Sequence, residues 1–556
     1  MVGDTTSARS DIVNNIGRET DSFALRVQKI EQLASSLDSL IQSKPHGAQS
    51  QYRRPFFLYQ KGRTEKGQLA AHTETMLFVS RGVVRWLLVA ATLLTILYLV
   101  SSSAKDISRF DANDLFTGSA SSSDSSVNSA NSAGASNMGI QYNQKLMHND
   151  KPYDAEEYAD GLTWPQLKEA LTFDKSLLEN IEENIVEENM DFFREVYSKR
   201  ITEPKFAELT YNVFVDKNGR KKVLSKDEYP RANATLLTLV RNQELQDIVY
   251  TLRQLEANWN HKFHYPYTFI NDEPFTDEFK ETVKRHTVSD CYFEVIPPEI
   301  WNKPDNIDTE IEAQRMSELK KKGVLYIDKV SYHNMCRFNS GYFYQLERLQ
   351  QFRYYWRFEP ATDYYCNVDY DLFKFMEDNN KTYGFTISLY DNPLTVETLW
   401  PTTLKFLEKN PQYAHPNGAF RWLTENVQHP EYVAITGGYS TCHFWSNFEI
   451  GDMDFYRGEA YSKWMEALDE AGGFYYERWG DAPVHSVGLG LFEDRSKIHW
   501  FRDIGYHHSP YKNIPNSDKC NAPEDSGYFA PEDVYDQNCL SNWIRLEMTN
   551  KELQSY

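Results

Sequence analysis

The sequence contains no Cys-x-x-Cys pair, and no cysteine precedes Cys291. It therefore gives no support for a zinc site of the Cys-x-x-Cys type. Neither GxGxxG nor GxxxxGKS/T occurs, which argues against a dinucleotide fingerprint and a P-loop. Basic residues are also scarce, with 59 Lys and Arg against 80 Asp and Glu, so the formal net charge is -21. Because such a chain repels phosphate backbones, we expect no nucleic-acid binding.

One long apolar run stands out in this polar chain, VVRWLLVAATLLTILYLV at Val83–Val100, interrupted only by Arg85. Its eighteen residues are just enough to span a bilayer. Since Arg81 and Arg85 lie at its start, the positive-inside rule predicts a cytosolic N-terminus and a luminal remainder, a type II arrangement. A buried core helix is one alternative, and a cleaved signal peptide is another if synthesis begins at Met76.

Composition divides the chain into four predicted parts. Residues 1–75 are polar and are expected to form a cytosolic tail, followed by a signal-anchor transmembrane segment at 76–101. Residues 102–204 are first Ser-rich and then acidic with helical spacing, as in a luminal stem. Residues 205–556 have the pattern of a globular domain and contain all six cysteines. This favours disulfides in an oxidising compartment, although fifteen pairings are possible.

Short apolar runs alternate with a helical pattern early in the globular domain. ATLLTLVRN (Ala234–Asn242) and YPYTFINDEPF predict strands, and ELQDIVYTLRQLEANWN between them predicts a helix. CYFEVIPPEIW, which begins at Cys291, predicts a third strand, and Asn218-Gly219 predicts a hairpin before the first. This order indicates an α/β fold with a mainly parallel sheet, in which ligands bind at the carboxyl ends of the strands.

Two segments offer candidate ligands for a cation. YYWRF predicts a strand, and Pro360 keeps the preceding Glu359 extended, so this carboxylate sits at a strand end. It is either a cation ligand or a solvated acid. The adjacent His507 and His508 would point to opposite faces of a strand, so at most one is a ligand, and a surface loop is the alternative. One carboxylate and one imidazole suit manganese better than zinc.

The stretch HFWSNFEI, His443–Ile450, concentrates aromatic and polar groups. If it is one extended strand, alternation sends one set of side chains to the core and the other to a cleft suited to sugars. The core set would be Phe444, Ser446, Phe448 and Ile450. The cleft set would be His443, Trp445, Asn447 and Glu449. Alternatively, Glu449 is buried and paired with an arginine such as Arg478.

Six long motifs follow one another along the domain: YHNMCRFNSG, YYWRFEP, NNKTYGF, CHFWSNFEI, AGGFYYERWGDAPVHS and DIGYHH. With them the chain resembles the fungal α-1,2-mannosyltransferases of glycosyltransferase family 15, the yeast KTR group. The resemblance implies a GT-A-type nucleotide-sugar transferase fold with a mixed, mainly parallel sheet, preceded by one transmembrane helix and a stem. It also implies a type II protein of the Golgi membrane.

The activity implied by the resemblance is transfer of mannose from GDP-mannose to an α-mannoside acceptor on glycoproteins. The new bond would be α-1,2 with retained configuration, in N-linked or O-linked mannan elongation, and Mn2+ would be the cofactor. Two alternatives stay open. A glycoside hydrolase could use two acids such as Glu449 and Asp481. A non-catalytic mannan-binding homologue would fit Ala361, which stands where the family's metal motif has Asp.

The family's functional residues carry over motif by motif. The resemblance implies Glu449 as the candidate nucleophile and Glu359 and His508 as Mn2+ ligands. It implies Arg241, Tyr332 and Asp481 for the donor. Asp391 falls in a segment associated with the acceptor or the donor, and Trp445 and Asn447 join it from the proposed cleft face as substrate-binding residues. The family's Glu-Pro-Asp metal motif here reads Glu359-Pro360-Ala361, so the carboxylate of its third position is missing.

Overall fold

The computed structural model describes residues 161–173, 185–201, 213–215, 221–223, 228–522, 527–528 and 537–553. The predicted tail, the apolar run Val83–Val100 and the Ser-rich part of the stem lie outside these residues, as does the Asn218-Gly219 turn. In the described part of the chain, no helix is both long and apolar enough to cross a membrane.

The strands fall into a central mixed sheet, a smaller four-stranded sheet and two separate pairs. In chain order they are β1 (Val213–Val215), β2 (Lys221–Val223), β3 (Ala234–Leu239), β4 (Tyr267–Asn271), β5 (Cys291–Val295), β6 (Tyr354–Arg357), β7 (Asp363–Tyr364), β8 (Tyr383–Phe385), β9 (Ser388–Tyr390), β10 (Cys442–Phe444), β11 (Glu449–Asp452), β12 (Ile498–Trp500), β13 (Tyr506–His508), β14 (Tyr511–Ile514) and β15 (Gly527–Tyr528). The three strands predicted from ATLLTLVRN, YPYTFINDEPF and CYFEVIPPEIW are confirmed as β3, β4 and β5.

The described helices cover the sheets and connect their strands. They are α1 (Trp164–Ala170), α2 (Ile185–Ser198), α3 (Leu245–Leu255), α4 (Asp277–Lys284), α5 (Pro298–Trp301), α6 (Thr309–Lys321), α7 (Val330–Gly341), α8 (Leu372–Asp378), α9 (Leu399–Lys409), α10 (Phe420–Thr424), α11 (Pro430–Ile435), α12 (Met453–Arg457), α13 (Glu459–Ala471), α14 (Gly473–Tyr476), α15 (Asp481–Phe492), α16 (Leu540–Glu547) and α17 (Asn550–Leu553). The helix predicted between β3 and β4 is confirmed as α3, which continues through a π-helical turn at Glu256–Asn260 into a last α-helical turn at His261–Phe263.

The central sheet has seven strands in the order β12-β8-β11-β6-β3-β4-β5. The β12–β8, β6–β3, β3–β4 and β4–β5 pairs are parallel, while β11 runs antiparallel to both β8 and β6. All residues of β4 and β6 are buried, as expected for strands covered on both faces. The predicted mixed, mainly parallel α/β sheet is therefore confirmed.

The direction of β11 determines where the polar strand ends meet. Because β11 is antiparallel, its first residue, Glu449, lies opposite Arg357 at the carboxyl end of β6. The carboxyl ends of β3 and β4 lie at the same edge of the sheet, since both strands run parallel to β6. The topology thus brings the start of β11 to the same edge as the carboxyl ends of β3, β4 and β6.

The smaller sheet, in the order β15-β14-β13-β7, supports this edge from the side. Strand β13 pairs with β7, and a disulfide between Cys366 and Cys520 closes the adjoining segments. A second disulfide joins Cys442 to Cys539. Cys291 and Cys336 take no part in a disulfide, so four of the six cysteines form the disulfides that the sequence predicted without specifying partners.

Candidate active site

A cavity of about 270 Å³ lies at the edge where the parallel strands end. Arg241 follows β3 there, Glu359 follows β6, and Tyr332 comes from α7. The wall also includes Glu244, Asn271, Trp301, Tyr326, Lys329, Asn339, Arg357 and Pro360. This is the place at which an open α/β sheet binds ligands, as the sequence predicted.

Glu359 and His508 face each other beside this cavity. Oε2 of Glu359 lies 3.5 Å from Nε2 of His508, and the side chains are 26% and 31% exposed. Nδ1 of His508 lies 3.1 Å from the Ser509 carbonyl oxygen. Since a carbonyl oxygen only accepts hydrogen bonds, Nδ1 carries the proton of the neutral ring and Nε2 keeps its lone pair. Both atoms that face each other can therefore ligate a cation.

This donor set fits a divalent ion such as Mn2+, because it combines a hard carboxylate oxygen with one imidazole nitrogen. Among the described residues, no group of three or more His, Cys, Asp and Glu side chains is arranged to hold a metal. An ion held by Glu359 and His508 would therefore leave its other coordination positions for water and substrate phosphates, as Mg2+ sites of phosphate-handling enzymes do.

The charges around Glu359 keep it ionised. Burial alone would raise the pKa of Glu359, but Arg357 and His508 lower it to about 2. Burial alone would lower the pKa of His508, but the Glu359 carboxylate raises it above its ordinary value. Nη2 of Arg357 donates to Oε1 of Glu359 at 2.7 Å, which leaves Oε2 on the side of His508.

The neighbouring histidine has a different partner. Nδ1 of His507 lies 2.8 Å from Oδ2 of Asp363, and the hydroxyl of Tyr250 donates to the other oxygen of the same carboxylate. The two histidines of β13 thus point to opposite sides, as alternation predicts. It is His508 that contacts Glu359.

Arg357 is a site residue that the sequence did not single out. It is 8% exposed, and its Nη1 donates to Oδ2 of Asp481 at 2.5 Å while lying 4.0 Å from Oε1 of Glu449. Together with its bond to Glu359, this guanidinium touches or approaches three carboxylates. Burial alone would raise the pKa of Asp481, but Arg357 holds it below its ordinary value. The sequence did contain a signal for Arg357, because it is a basic residue at the end of the aromatic strand YYWRF, two positions before Glu359.

Glu449 is 1% exposed and lies behind Arg357 rather than in the wall of the cavity. Its Oε2 accepts a hydrogen bond from the Tyr383 hydroxyl at 2.9 Å and lies 3.0 Å from Nδ1 of His485. The predicted alternative of a buried acid with a partner is thus right about burial but wrong about Arg478. That arginine instead donates to the hydroxyl of Tyr332.

The stretch around Glu449 is not one extended strand. Strand β10 ends at Phe444, a turn covers Trp445–Phe448, and β11 begins at Glu449. The predicted division into a core face and a cleft face is therefore wrong, because alternation fails across a turn. Ser446, predicted to pack in the core, donates to Asp481 at 2.8 Å.

The residues predicted for the cleft have separate surroundings. His443 is 5% exposed and Asn447 is 6% exposed, and Asn447 accepts from the Tyr506 hydroxyl at 3.0 Å. Trp445 is half-buried, and its ring centroid lies 5.0 Å from that of His508. Trp445 is thus brought next to the candidate metal ligands, while Asn447 supports β13 from within.

The remaining predicted residues form a chain of contacts. Arg241 and Tyr332 line the cavity. The hydroxyl of Tyr332 accepts from Arg478 at 3.1 Å, and Arg478 lies 3.8 Å from Asp391. Asp481, Asp391, Trp445 and Asn447 do not line the cavity itself. The geometry therefore groups Arg241, Tyr332 and Glu359 on one wall and connects Asp391 to it through Arg478.

Residues 183–548 match the family model described as glycolipid 2-alpha-mannosyltransferase, glycosyltransferase family 15. The chain belongs to this family. It is 48% identical over 380 residues to the probable mannosyltransferase KTR4 of Saccharomyces cerevisiae, which covers 67% of this chain and 79% of that relative. It is 45% identical over 292 residues to the alpha-1,2 mannosyltransferase KTR1 of the same yeast, covering 52% of this chain and 72% of the relative.

Solved structures of the same family share its α/β fold. Ktr4p of S. cerevisiae in complex with GDP is 45% identical, covers 73% of this chain and 100% of its own, and has a TM-score of 0.65. The Mn/GDP form of core-mannan synthase A (CmsA/Ktr4) from Aspergillus fumigatus is 51% identical, covers 58% and 87%, and has a TM-score of 0.56. The resemblance to family 15 is thereby confirmed.

For this family 15 chain, sequence reasoning also missed His485 and Tyr383, the two direct partners of Glu449. His485 lies in AGGFYYERWGDAPVHS, a motif that supported the resemblance, but nothing in the motif connects it to an acid earlier in the chain. Only the packing of α15 against β10 and α7 brings them together.

Proposed function

We propose that this chain is a GDP-mannose-dependent α-1,2-mannosyltransferase that elongates mannan on glycoproteins with retention of anomeric configuration. The observation that carries the proposal is the Glu359–His508 pair, 3.5 Å apart, beside a cavity lined by Arg241 and Tyr332. Two side chains that can ligate one cation, next to a cavity lined by a basic and an aromatic residue, suit the binding of a nucleoside diphosphate sugar. The GDP and Mn/GDP forms of the family's solved members support the same donor and cofactor.

The residues in and beside the cavity would each contact a different part of the bound donor or its metal ion. When bound, Mn2+ supplies positive charge that neutralises the departing diphosphate. Glu359 and His508 would hold it. Arg241 would add a second positive charge near the phosphates, and Tyr332 would offer its ring and hydroxyl to the donor. Removing charge from the leaving GDP weakens its bond to the sugar, which is the difficult part of the transfer.

Retention of configuration requires either attack from the leaving-group side or two successive inversions. Both routes place positive charge on the anomeric carbon, and a nearby carboxylate stabilises that charge or bonds to the carbon. We assign this role to Glu449, whose Oε1 points toward Arg357 in the cavity wall. Asp481 would contact the donor sugar from the same cluster, and Asp391 and Trp445 would face the acceptor, while the buried Asn447 would support them from behind.

The parts of the chain before the globular domain suit an enzyme of the secretory pathway. We propose that Val83–Val100 anchors the chain in the Golgi membrane as a type II protein, with residues 102–204 as its stem and 205–556 as the luminal catalytic domain. The two disulfides of the described part support an oxidising compartment. Protease protection of intact microsomes would test the orientation, since a cytosolic catalytic domain would be digested.

The test of the activity measures GDP release from GDP-mannose with and without an α-mannoside acceptor and with and without Mn2+. We expect release to require both. His508→Ala should weaken Mn2+-dependent GDP binding, while His507→Ala, the matched control one residue away, should leave it near the original value. Mn2+ affinity should also fall as pH decreases, because the raised pKa of His508 lets protons compete with the ion.

Other outcomes would contradict the proposal. Hydrolysis of mannosides without GDP-mannose would indicate a glycoside hydrolase. Binding of mannan with no GDP release under any condition would indicate a non-catalytic homologue. Equal loss of Mn2+ binding in both histidine variants would reject His508 as the specific ligand.

A further inference from the structure

His485 is a buried histidine that the roles described so far do not use. It lies on α15, is 0% exposed, and is surrounded by the rings of Phe343, Tyr456 and Tyr461. Its Nδ1 lies 3.0 Å from Oε2 of Glu449. A histidine sealed from water beside the proposed catalytic acid must have a defined protonation state, and its two hydrogen bonds specify which states are possible.

The bond at Nε2 fixes one proton. Nε2 lies 2.9 Å from the backbone carbonyl oxygen of Asn339. A carbonyl oxygen only accepts, so Nε2 must carry a hydrogen. Nδ1 then either lacks a hydrogen or makes the ring a cation. Asn339 itself lines the cavity, so this bond also connects His485 to the cavity wall.

The bond at Nδ1 requires one shared proton. A neutral ring with its hydrogen on Nε2 would present a lone pair to the Glu449 carboxylate, and two acceptors 3.0 Å apart repel each other. The pair therefore contains either a protonated Glu449 beside a neutral ring or a Glu449 carboxylate beside an imidazolium. In both states the pair has no net charge, which suits its complete burial.

The surroundings favour the second state. Oε2 of Glu449 accepts a further hydrogen bond from Tyr383, and Nη1 of Arg357 lies 4.0 Å from Oε1. Both contacts stabilise a carboxylate over a carboxylic acid. Burial raises the pKa of Tyr383 well above its usual range, so this hydroxyl stays a neutral donor. The titratable and charged groups facing the pair are Tyr355 and Arg357 on β6, Tyr383 on β8, Tyr456 on α12, Tyr461 on α13 and Asp481 on α15.

We propose that His485 is a positioning residue that holds the shared proton as an imidazolium and keeps Glu449 a carboxylate. The role rests on the proposed function of Glu449 in mannose transfer. His485 and Tyr383 fix Oε2 on the buried side, so Oε1 is the oxygen turned toward Arg357 and the cavity wall. Without the imidazolium, the buried Glu449 would take up a proton more readily and lose the charge that the transfer uses.

A direct test measures the protonation of the two ring nitrogens of His485 by NMR and does not depend on mannose transfer. The full chain is labelled with 15N-histidine, and the His485 signal is assigned by its absence from His485→Asn. We expect both ring nitrogens to carry a proton at the pH at which mannose transfer is measured. An Nδ1 without a proton at that pH would overturn the proposal.

A kinetic test uses the same variant. Asn retains a neutral donor toward Glu449 but cannot carry the charge, so the acid limb of the kcat profile should move to higher pH, and kcat on that limb should fall about tenfold. The KM for GDP-mannose should change much less. His499→Asn, on β12 away from the site, is the control and should leave the pH profile unchanged.

Three results separate the possible failures. An unshifted acid limb in an active His485→Asn variant would reject the positioning role. If that variant does not fold, the His485 signal is assigned by its absence from His485→Gln instead, and the nitrogen signals of the original chain then decide the matter. If the original chain transfers no mannose, the proposed function fails, while the proton assignment is still decided by those signals.

Discussion

At the scale of single residues, three carboxylates of the site cluster around one arginine. Arg357 donates to Glu359 and Asp481 and lies 4.0 Å from Glu449, so one guanidinium holds together the candidate metal ligand, a donor contact and the proposed catalytic acid. Breaking such a buried pair leaves an uncompensated charge, which is more costly than losing an exposed salt bridge. The site is therefore preorganised by ion pairs that form before any ligand binds.

Glu449→Gln tests the residue at the centre of this arrangement. The amide keeps the shape of the side chain and can still bond to Tyr383 and His485, so the variant should fold and bind GDP with Mn2+ normally. Its kcat should fall about 100-fold or more, as when a preorganised electrostatic contact is removed. The measurement is the rate of mannose transfer alongside a GDP-binding titration.

Two results would count against this assignment. Near-normal transfer by Glu449→Gln would show that the carboxylate is not needed. A loss of GDP binding equal to the loss of transfer would mean that Glu449 supports the fold of the cavity and has no separate part in the chemistry. Glu347→Gln, an exposed acid before β6, serves as the matched control and should leave both quantities unchanged.

At the scale of elements, the turn after β6 places Ala361, which stands where the family motif has Asp, in a backbone conformation that suits Ala poorly. Ala361 has φ = 57°, in the left-handed region, and is exposed, with its N–H donating to the Asp247 carbonyl at 3.2 Å. Asp and Asn tolerate this conformation better than Ala does. An Asp at this position thus has a backbone reason to be there, independent of any role as a metal ligand.

Ala361→Gly should therefore stabilise the chain. Removing Cβ relieves a conformation that costs an L-residue about 1–2 kcal/mol, and the greater freedom of Gly in the unfolded chain returns part of this. We expect the free energy of unfolding in urea to rise by about 0.5–1 kcal/mol. Ala467→Gly, the same substitution inside α13, should lower it by about 1 kcal/mol. A decrease for both would mean that Ala361 is not strained.

The elements also show how far the sequence could predict the site. Strands β3, β4 and β6 and helix α3 followed from local apolar patterns, which also placed Glu359 at a strand end, whereas Arg241 was supplied by the family resemblance. The stretch before Glu449 could not be predicted this way. A turn at Trp445–Phe448 separates β10 from β11, and its aromatic residues Trp445 and Phe448 give it the sequence pattern of a strand.

Long-range pairing was equally hidden from the sequence. Strand β11 inserts antiparallel between β6 and β8, and this places Glu449 opposite Arg357. No local pattern encodes which strands become neighbours. The same holds for His485 and Glu449, which are 36 positions apart and meet only through packing of α15. The resemblance supplied Glu449 as a candidate but not the groups that control its charge.

At the scale of the whole molecule, the smaller sheet is the support of the candidate metal site. His508 lies on β13, which pairs with β7 and β14, whereas Glu359 follows β6 of the central sheet. The Cys366–Cys520 disulfide links the segment after β7 to a segment 154 residues later. Since β7, β13 and β14 belong to the same smaller sheet, the bond restrains the surroundings of the strand that carries His508.

Removing this disulfide should affect stability and metal binding together. The double variant Cys366→Ala and Cys520→Ala should lower the free energy of unfolding by about 2–5 kcal/mol, as expected for a bond that closes a long loop. It should also weaken Mn2+-dependent GDP binding, because β13 loses a restraint. The matched control, Cys442→Ala with Cys539→Ala, removes the disulfide between β10 and the start of α16. We expect a similar loss of stability there but normal Mn2+ affinity, measured by calorimetry below the unfolding temperature of both variants. Equal Mn2+ affinity in the two double variants would mean that strand pairing alone holds His508 in place.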